Sequence, residues 1–537
     1  MVDRLGGRLA GQSVPVRLSR RAALAAVVLG GCGGRSVRAQ TPGPATAVPV
    51  GRRPVELRQP KVLTSANGLL DVTLTGRPGV VDVGALRPVT TFTYDNVLPG
   101  HTWEVSPGDT LRIDLVNDLP PLPHADPVDL TRPHAWTTTN LHTHGLHVSP
   151  AGNADNVFLS IEPGETQWYE IAIPDDHPGG LFWYHPHRHG GVCQQVRAGM
   201  AGAIIVRGEI DEVPEVCAAK EQVVVLQAIE LGDDYQLLDP IPNPSKQEAF
   251  FPRTQILYTV NGVLNPKITM YPGEVQRWRI LNAAEGKFMA LRLAGHDLHV
   301  LAWDGLTLHA PDVVDEVLLS AGNRVELLVK AGTPGSYDLV LRPGSSQHPV
   351  APGMAHGPAT PTGAPVPSSE LLVRPILTIE VVGSGPEMAL PTALPAWDPP
   401  ILPIARRRQV AYTVERDDDD EFIDFGIDGV PFDPARPPYR IKLGTAEEWT
   451  VTNAPDTKLL EHAHVFHIHV NPFKVTKING ETLDTPLWRD TFVLTGNTGD
   501  STTFESNFDD FTGRFVQHCH VLSHEDLGMM EALEVVP

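Results

Sequence analysis

The chain has 537 residues and is 41% hydrophobic, which is enough for about three domains with apolar cores. Its formal charge of −22 argues against nucleic acid as a partner and against a polybasic membrane surface. Aromatic residues are few, and short Val, Ile, Thr and Leu runs alternate with 51 prolines and 48 glycines. This composition predicts an all-β protein of sandwiches or barrels.

The N-terminus has the features of an export signal. Ser19-Arg20-Arg21 precedes an apolar run, Ala22 to Gly31, that is too short to span a bilayer. We predict a twin-arginine signal segment over residues 1–40, no transmembrane segment, and a location in the periplasm or cell envelope. Cys32 ends a lipobox-like sequence and would carry a lipid anchor, whereas cleavage after Val37-Arg38-Ala39 would release the protein. A disordered basic tail is the less favoured alternative.

The four cysteines divide between these features. Cys32 belongs to the signal segment, and Cys519 belongs to a histidine-rich motif near the C-terminus. Cys193 and Cys217 remain, and in an oxidising compartment they could form a disulfide. The sequence is equally compatible with two unpaired, buried thiols.

A repeat recurs about every 170 residues, at 94–117, 260–282 and 427–453. Each copy reads as a turn, a strand, a glycine turn, a second strand and an asparagine. Three related β-sandwich domains are the simplest account. The predicted domain ranges are 55–210, 220–384 and 401–537, with a Pro-rich linker before the third.

Two segments lie outside this pattern. Pro343 to Ser369 is a long Pro, Gly and Ser loop, which is usually either functional or disordered. Glu415 to Glu421 is an acidic run. We interpret it as a solvated loop in preference to a calcium site.

The richest stretch runs from Phe515 to Met530 and contains one cysteine, three histidines and two methionines. Two histidines, one cysteine and a weak axial methionine form the ligand set of a blue-copper site. Cys519, His524 and Met529 could supply three of these ligands. Side chains at i and i+1 of a strand point to opposite faces. His518 and His520 would therefore face away from Cys519, toward a second metal site.

Four clusters contain an H-x-H pair, which places two imidazoles on one face of a strand. A single pair is usually structural, but four pairs with a trailing cysteine motif indicate copper. Zinc is a weaker alternative, because structural zinc sites need closed four-ligand sets. The paired histidines are His142, His144, His185, His187, His467, His469, His518 and His520.

The remaining histidines are assigned by their position. His464 lies three residues before His467, so it should face the other way and complete the site of Cys519. His147 and His177 are interpreted as local hydrogen-bonding residues, and His189 as at most a neighbour of a ligand. Pro186 cannot donate to a ladder, so its cluster should lie on an edge strand or in a turn.

Taken in order, these motifs resemble those of the multicopper oxidases, particularly the three-domain bacterial laccase-like members of the CueO and CotA type. The resemblance covers the chain from about residue 60 and implies three cupredoxin-like Greek-key β-sandwiches with four copper ions. It implies type 1 copper at His464, Cys519, His524 and Met529. It implies type 2 copper at His142 and His467. It implies a type 3 pair, between domains one and three, at His144, His185, His187, His469, His518 and His520.

The resemblance also implies a mechanism. A small reducing substrate gives up electrons near an exposed edge of His464 or His524, and the electrons pass through Cys519 to reduce dioxygen to water. Glu525 matches the position of a proton-relay acid, and Asp155 is a second candidate; the alternative for each is a surface carboxylate. The family usually has proline after the type 1 histidine, where this chain has Val465. An axial methionine implies a lower type 1 potential than leucine or phenylalanine.

The sequence favours a laccase-like oxidase of phenols and aromatic amines, and we expect a monomer. A metallo-oxidase of Cu(I), Fe(II) or Mn(II) is the alternative, although 8 methionines without a cluster argue against Cu(I) capture. A copper nitrite reductase is disfavoured by three repeats and four motifs in one chain. A non-catalytic scaffold is disfavoured because every ligand position is filled.

Overall fold

The structure is a computed structural model that describes residues 55–85, 87–122, 128–232, 234–237, 255–344, 374–416, 422–454, 463–494 and 499–537. The predicted signal segment with Cys32, most of the loop 343–369 and residues 417–421 of the acidic run lie outside these ranges. Within the described ranges, no helix has the length and apolar character needed to cross a bilayer.

The all-β prediction is confirmed, because the described residues form three successive pairs of β-sheets. The first pair consists of sheets with strand orders β1-β4-β9-β8-β6 and β3-β2-β5-β7. Its strands are β1 (Val62–Thr64), β2 (Leu69–Val81), β3 (Val89–Tyr94), β4 (Thr102–Val105), β5 (Thr110–Asn117), β6 (His142–His144), β7 (Thr166–Ala172), β8 (Gly180–His185) and β9 (Gly202–Val206).

The second pair has the strand orders β11-β10-β13-β18-β15-β16 and β12-β20-β19-β14-β17. Its strands are β10 (Lys220–Leu231), β11 (Gln255–Val260), β12 (Lys267–Met270), β13 (Val275–Asn282), β14 (Phe288–Leu293), β15 (Leu298–Trp303), β16 (Leu306–Val314), β17 (Val317–Leu319), β18 (Arg324–Lys330), β19 (Gly335–Gly344) and β20 (Arg374–Val381).

The third pair repeats the second strand for strand, with the orders β22-β21-β24-β29-β26-β27 and β23-β31-β30-β25-β28. All strands lie within the predicted domain ranges, whose limits stay predictions. Its strands are β21 (Ile404–Arg416), β22 (Phe422–Ile427), β23 (Tyr439–Lys442), β24 (Thr445–Asn453), β25 (His464–Ile468), β26 (Phe473–Ile478), β27 (Glu481–Arg489), β28 (Thr491–Leu494), β29 (Ser501–Phe508), β30 (Gly513–Cys519) and β31 (Met530–Val536).

The turn that opens each sequence repeat follows β3, β11 or β22. Bridges between Tyr94 and Val97, Val260 and Val263, and Ile427 and Val430 close the three turns. Both central residues of each turn have positive φ, as two-residue turns of type I′ require. Asn, Asp and Gly adopt that conformation most readily. These central residues are Asp95 and Asn96, Asn261 and Gly262, and Asp428 and Gly429.

Each pair of sheets encloses its own apolar core. Trp278 on β13 and Trp449 on β24 are both 0% exposed within these cores. The helices of the described chain are short: α1 (Val192–Ala198), α2 (Pro214–Ala218) and α3 (Leu522–Asp526), with a 3-10 turn at Glu209–Glu212. Helix α1 packs against α3, and α3 contacts the histidine-bearing strand β30.

Ion pairs join the first domain to the second, because Arg207, just after β9, contacts Glu221 at 2.9 Å. Arg279 on β13 is 0% exposed. Its guanidinium contacts Asp211 at 2.7 Å, Glu221 at 2.8 Å and Glu326 at 2.7 Å. A buried charge persists when it is paired and hydrogen-bonded in this way.

His147 joins the first domain to the third. Its Nδ1 donates to the carbonyl of Val470 at 2.8 Å, and its Nε2 lies 2.9 Å from Oδ2 of Asp510. Burial alone would lower the pKa of His147, but the hydrogen bonds to Asp510 and Val470 outweigh it and raise that pKa above its ordinary value. His177 accepts the backbone N–H of His147 at 3.0 Å. The hydrogen-bonding interpretation holds for both, although the contacts of His147 cross a domain interface.

We predict that His147→Gln lowers the melting temperature more at about pH 5.5 than at about pH 9. A histidine whose pKa is raised on folding contributes stability below its unfolded pKa of about 6.5, and this stability is lost as pH rises through the folded value. The loss should be at most about 1 kcal/mol at acid pH, because the pair is partly exposed. Asp510→Asn should reproduce the effect. An equal loss at both pH values would contradict the assignment.

Candidate metal centre

One group of metal-ligating side chains lies inside the third domain. Strand β25 pairs with β30 so that Phe466 faces Cys519 and His467 faces His518. Cys519 Sγ lies 3.4 Å from Nδ1 of His524 and 3.7 Å from Nδ1 of His464. The two Nδ1 atoms are 3.2 Å apart. The predicted partnership of His464 with Cys519 is thus present in the structure.

Met529 belongs to the same buried cluster as Cys519. Helix α3 and the turn after it bring the two residues together. The Cys519 N–H donates to the carbonyl of Met529 at 3.1 Å, and the Met529 N–H donates to the carbonyl of His524 at 2.9 Å. Met529 therefore lies next to Cys519 in space, although the two are ten positions apart in the sequence.

The chemistry of this group fits copper. One thiol and two imidazoles are ligands that suit copper. Burial raises the pKa of Cys519 to about 12 and lowers the pKa of His464 to about 3. The imidazole of His464 is therefore neutral at physiological pH, as a metal ligand must be. The thiol keeps its proton until a bound cation displaces it.

A second group of eight histidines lies between the first and third domains. Strand β6 pairs with β8, so that His142 is opposite His185. The ring of His142 stacks on His469 and the ring of His144 stacks on His467, each at 3.9 Å between centroids. The H-x-H pairs of the two domains therefore meet face to face, as the strand alternation predicts.

The eight imidazoles form smaller sets. The Nε2 atoms of His187, His469 and His518 lie 3.0, 3.1 and 3.4 Å apart. His520 lies on the other side, with ring centroids 4.9 Å from His144 and 5.7 Å from His185. His518 and His520 thus serve two different sets, and neither lies with Cys519.

The hydrogen bonding of these rings supports a metal-binding role. All eight are at most 2% exposed. Several hold one nitrogen on a backbone carbonyl, such as His185 Nδ1 on Pro186 and His467 Nδ1 on Asp490. The opposite nitrogens have no hydrogen-bond partner among the described residues, which is costly for buried polar atoms. These atoms are His142 Nε2, His144 Nδ1, His185 Nε2, His467 Nε2 and both nitrogens of His520.

Burial also keeps most of these rings neutral. It lowers the pKa of six of them, and repulsion between neighbouring imidazoles lowers it further for all six. Neutral imidazoles with free lone pairs are what a copper site requires. The six are His144, His185, His187, His467, His469 and His520.

Two buried carboxylates contact the histidines. Asp155 lies 2.9 Å from Nδ1 of His142 and accepts the Thr143 N–H at 2.7 Å. Glu525 lies 3.0 Å from Nδ1 of His518 and 3.4 Å from Nδ1 of His187. Burial disfavours the charged form of Glu525, but its contacts with His187 and His518 hold the pKa of this carboxyl below its ordinary value. Both are at most 2% exposed, so the surface-carboxylate alternative is wrong for both.

The expectation of an exposed imidazole edge is wrong. His464 and His524 are 1% and 0% exposed. The ring of Phe425 on β22 lies 4.9 Å from that of His524, and the ring of Tyr412 lies 5.8 Å from that of His464. The hairpin of β21 and β22 packs over this part of the site. An electron donor is therefore separated from these histidines by at least one layer of protein.

Two other expectations need correction. Strand β8 lies inside its sheet and ends at His185, so the edge-strand alternative is wrong, whereas Pro186 lies beyond the ladder in the irregular segment that leads into the turn at 189–191. Cys193 and Cys217 are both free. Cys193 is buried with its Sγ 3.7 Å from Oε2 of Glu285, whereas Cys217 is exposed. The disulfide is absent, and the alternative of two buried thiols holds for Cys193 alone.

His189, which follows the pair His185 and His187, makes a hydrogen bond of its own outside the metal-ligating groups. His189 Nε2 donates to the carbonyl of Leu130 at 2.8 Å, and burial lowers its pKa to about 4. It belongs to neither donor group. The sequence interpretation missed Asp490 and Thr491, which contact His144 and His467. The pattern at 488–491 carries no ligand motif that could have identified them.

Comparison with known proteins identifies the family. Models described as multicopper oxidase match residues 131–210, 229–357 and 403–537. A multicopper oxidase of Staphylococcus epidermidis is 23% identical over 475 residues, covering 87% of this chain and 89% of that protein.

Solved structures agree. A multicopper oxidase from Campylobacter jejuni, described as a metallo-oxidase, has a TM-score of 0.69 at 24% identity, covering 91% of this chain and 99% of that one. The laccase-like CueO of Ochrobactrum, described as active towards lignin model compounds, has a TM-score of 0.69 at 23% identity, covering 89% and 100%. The predicted cupredoxin-like Greek-key β-sandwich domains are confirmed. The chain belongs to the multicopper oxidase family and is a copper-dependent oxidoreductase that uses dioxygen.

Proposed function

We propose that this protein is a laccase-like oxidase that couples four one-electron oxidations of phenols or aromatic amines to the reduction of dioxygen to water. The observation that carries the proposal is the adjacency of the two donor groups. Cys519 belongs to one group, and its neighbours His518 and His520 belong to the other. Electrons accepted on one side of β30 therefore have a covalent route to the other side.

The proposal assigns four copper ions to the two groups. A type 1 copper would be held by His464, Cys519 and His524, with Met529 as a further ligand. A type 2 copper would be held by His142 and His467. A type 3 pair would take the remaining six histidines, and the unpartnered ring nitrogens described above support copper binding by this group. When bound, the copper ions accept single electrons and supply the chemistry of dioxygen reduction.

The side chains provide orientation and protons. Asp155 holds Nδ1 of His142 and leaves Nε2 directed at the metal group. Glu525 touches two ligand rings, and its carboxylate oxygens have no other hydrogen-bond partner among the described residues. We assign Glu525 the delivery of protons at Oε1 and Oε2, with Asp155 as the second candidate.

Substrate choice depends on access to the type 1 group. The buried positions of His464 and His524 favour donors that transfer an electron through a covering side chain. A metallo-oxidase of Fe(II), Mn(II) or Cu(I) is the second candidate. Glu415 and Asp424 are opposite each other in the β21 and β22 hairpin that carries Phe425, and these acidic side chains would attract cations.

Oxygen uptake by copper-loaded protein with a phenol, Fe(II) and Cu(I) in parallel tests the substrate class. We expect the highest kcat/KM with the phenol, because the 8 methionines form no cluster for soft-metal capture. Cys519→Ser is the control and should take up no oxygen with any donor while keeping its circular dichroism. A preference for a metal ion over the phenol would favour the metallo-oxidase.

We predict that Glu525→Gln slows oxygen uptake by about a hundredfold or more, the scale of a lost general acid. The blue absorbance should persist, because Glu525 does not contact Cys519. Glu531→Gln is a matched control, since Glu531 is also buried but pairs with Arg436 at 2.9 Å. Unchanged uptake in Glu525→Gln, or loss of its blue absorbance, would refute the relay role.

We further propose export by the twin-arginine route and a monomeric enzyme in the periplasm or cell envelope. The support is the paired arginines and the apolar run over residues 1–40. The mass of the mature N-terminus tests this. A lipid on Cys32 indicates anchoring, a start after Ala39 indicates release, and an intact N-terminus on protein from the native cell would contradict export.

A further inference from the structure

We propose that Arg324 of the middle domain is a positioning residue for the histidine group between the other two domains. The inference rests on the ligand assignments proposed above. None of the assigned ligands belongs to the middle domain. Arg324 nevertheless lies at the point where all three domains meet, and it acts on His144 and His467 through Asp490 and Thr491.

Arg324 begins β18 and is 0% exposed. Each of its five N–H bonds has a partner, so the guanidinium has one orientation. It reaches the first domain through the carbonyl of Leu181 and the third through the carboxylate of Asp490. The five distances are 3.1 Å to the Leu181 carbonyl, 3.2 Å to the Gly322 carbonyl, 3.0 Å to the Asp304 carbonyl, and 2.9 and 2.6 Å to the two oxygens of Asp490.

The bidentate contact fixes the carboxylate of Asp490, and the carboxylate in turn fixes Thr491. The Thr491 hydroxyl donates to Oδ1 of Asp490 at 2.8 Å. With its proton committed, the hydroxyl oxygen can only accept from His144 Nε2, which lies 3.1 Å away. His144 must therefore carry its proton on Nε2, and its Nδ1 lone pair is left for a ligand.

The same segment fixes the tautomer of His467. The carbonyl of Asp490 accepts the Nδ1–H of His467 at 2.8 Å, so the Nε2 lone pair is left for a ligand. His144 Nδ1 and His467 Nε2 are two of the buried nitrogens that have no partner among the described residues. Arg324 thus selects the metal-binding tautomer of His144 through Asp490 and Thr491, and it holds in place the residue whose backbone carbonyl orients His467.

Two glycines show how closely Arg324 and its turn pack against Asp490 and the histidine group. Gly145 follows His144 with φ of +84°, and a Cβ there would overlap the Arg324 guanidinium and the Asp490 carboxylate. Gly322, two residues before Arg324, also has φ of +84°, and a Cβ would lie 3.0 Å from the ring of His520. The turn of the middle domain is therefore in van der Waals range of the histidine group.

Arg324→Met tests the proposal. Without the guanidinium, Asp490 is a buried charge with no strong partner, and the Thr491 hydroxyl is free to donate to His144. We expect the histidine group to bind copper about tenfold to a hundredfold more weakly, the scale for loss of a residue that orients ligands. The readouts are copper per chain and the electron paramagnetic resonance spectrum of type 2 copper. The blue absorbance of the Cys519 group should be unchanged.

Arg279→Met is the matched control. Arg279 is in the same domain, is equally buried and is also paired with carboxylates, and its ion-pair partners among the described residues include no histidine. It should keep the full copper content. Arg324→Lys, which keeps the charge but loses the bidentate fork, should fall between Arg324→Met and the wild type.

Thr491→Val keeps the proposal testable if Arg324→Met does not fold. It removes one hydroxyl and should alter the resonance spectrum with little change in melting temperature. Wild-type copper binding and an unchanged spectrum in Arg324→Met, or in Thr491→Val, would overturn the proposal. Equal copper loss in Arg279→Met would also overturn it. If the wild-type protein itself binds no copper at the histidines, the proposed function fails instead.

Discussion

A buried imidazole nitrogen without a hydrogen-bond partner is costly, and this constraint governs how the first and third domains meet. Eight imidazoles are packed together there, and several direct one nitrogen at a backbone carbonyl and the other toward the centre of the group. A bound metal cation satisfies such lone pairs, because each imidazole can donate one to it. Metal binding would therefore stabilise the interface between the first and third domains.

Much of the site could be predicted because its signals are local. The H-C-H spacing on β30 determines that Cys519 faces one way and His518 the other, and the three-residue offset assigns His464 to the cysteine group. The turn at the start of each repeat was recognisable because Asn, Asp and Gly adopt positive φ. These inferences need only the periodicity of a strand and the conformational preferences of single residues.

What the sequence could not predict depends on contacts between distant segments. Arg324 and Asp490 are 166 residues apart, and neither belongs to a ligand motif. The burial of His464 and His524 comes from a hairpin that precedes them in the chain. The free state of Cys193 and Cys217 likewise follows from where their segments pack. Local pattern identifies the ligands, whereas tertiary packing decides their exposure and which tautomer they adopt.

The second and third pairs of sheets share one strand order, offset by eleven strands. The third domain carries the Cys519 group and half of the histidine group, while the second builds the same architecture around an apolar core with none of the assigned ligands. Features that the second and third domains share therefore belong to the fold, whereas features found in the third domain alone can belong to copper binding. Because the second domain forms this architecture without those ligands, the sandwich itself does not require a copper site.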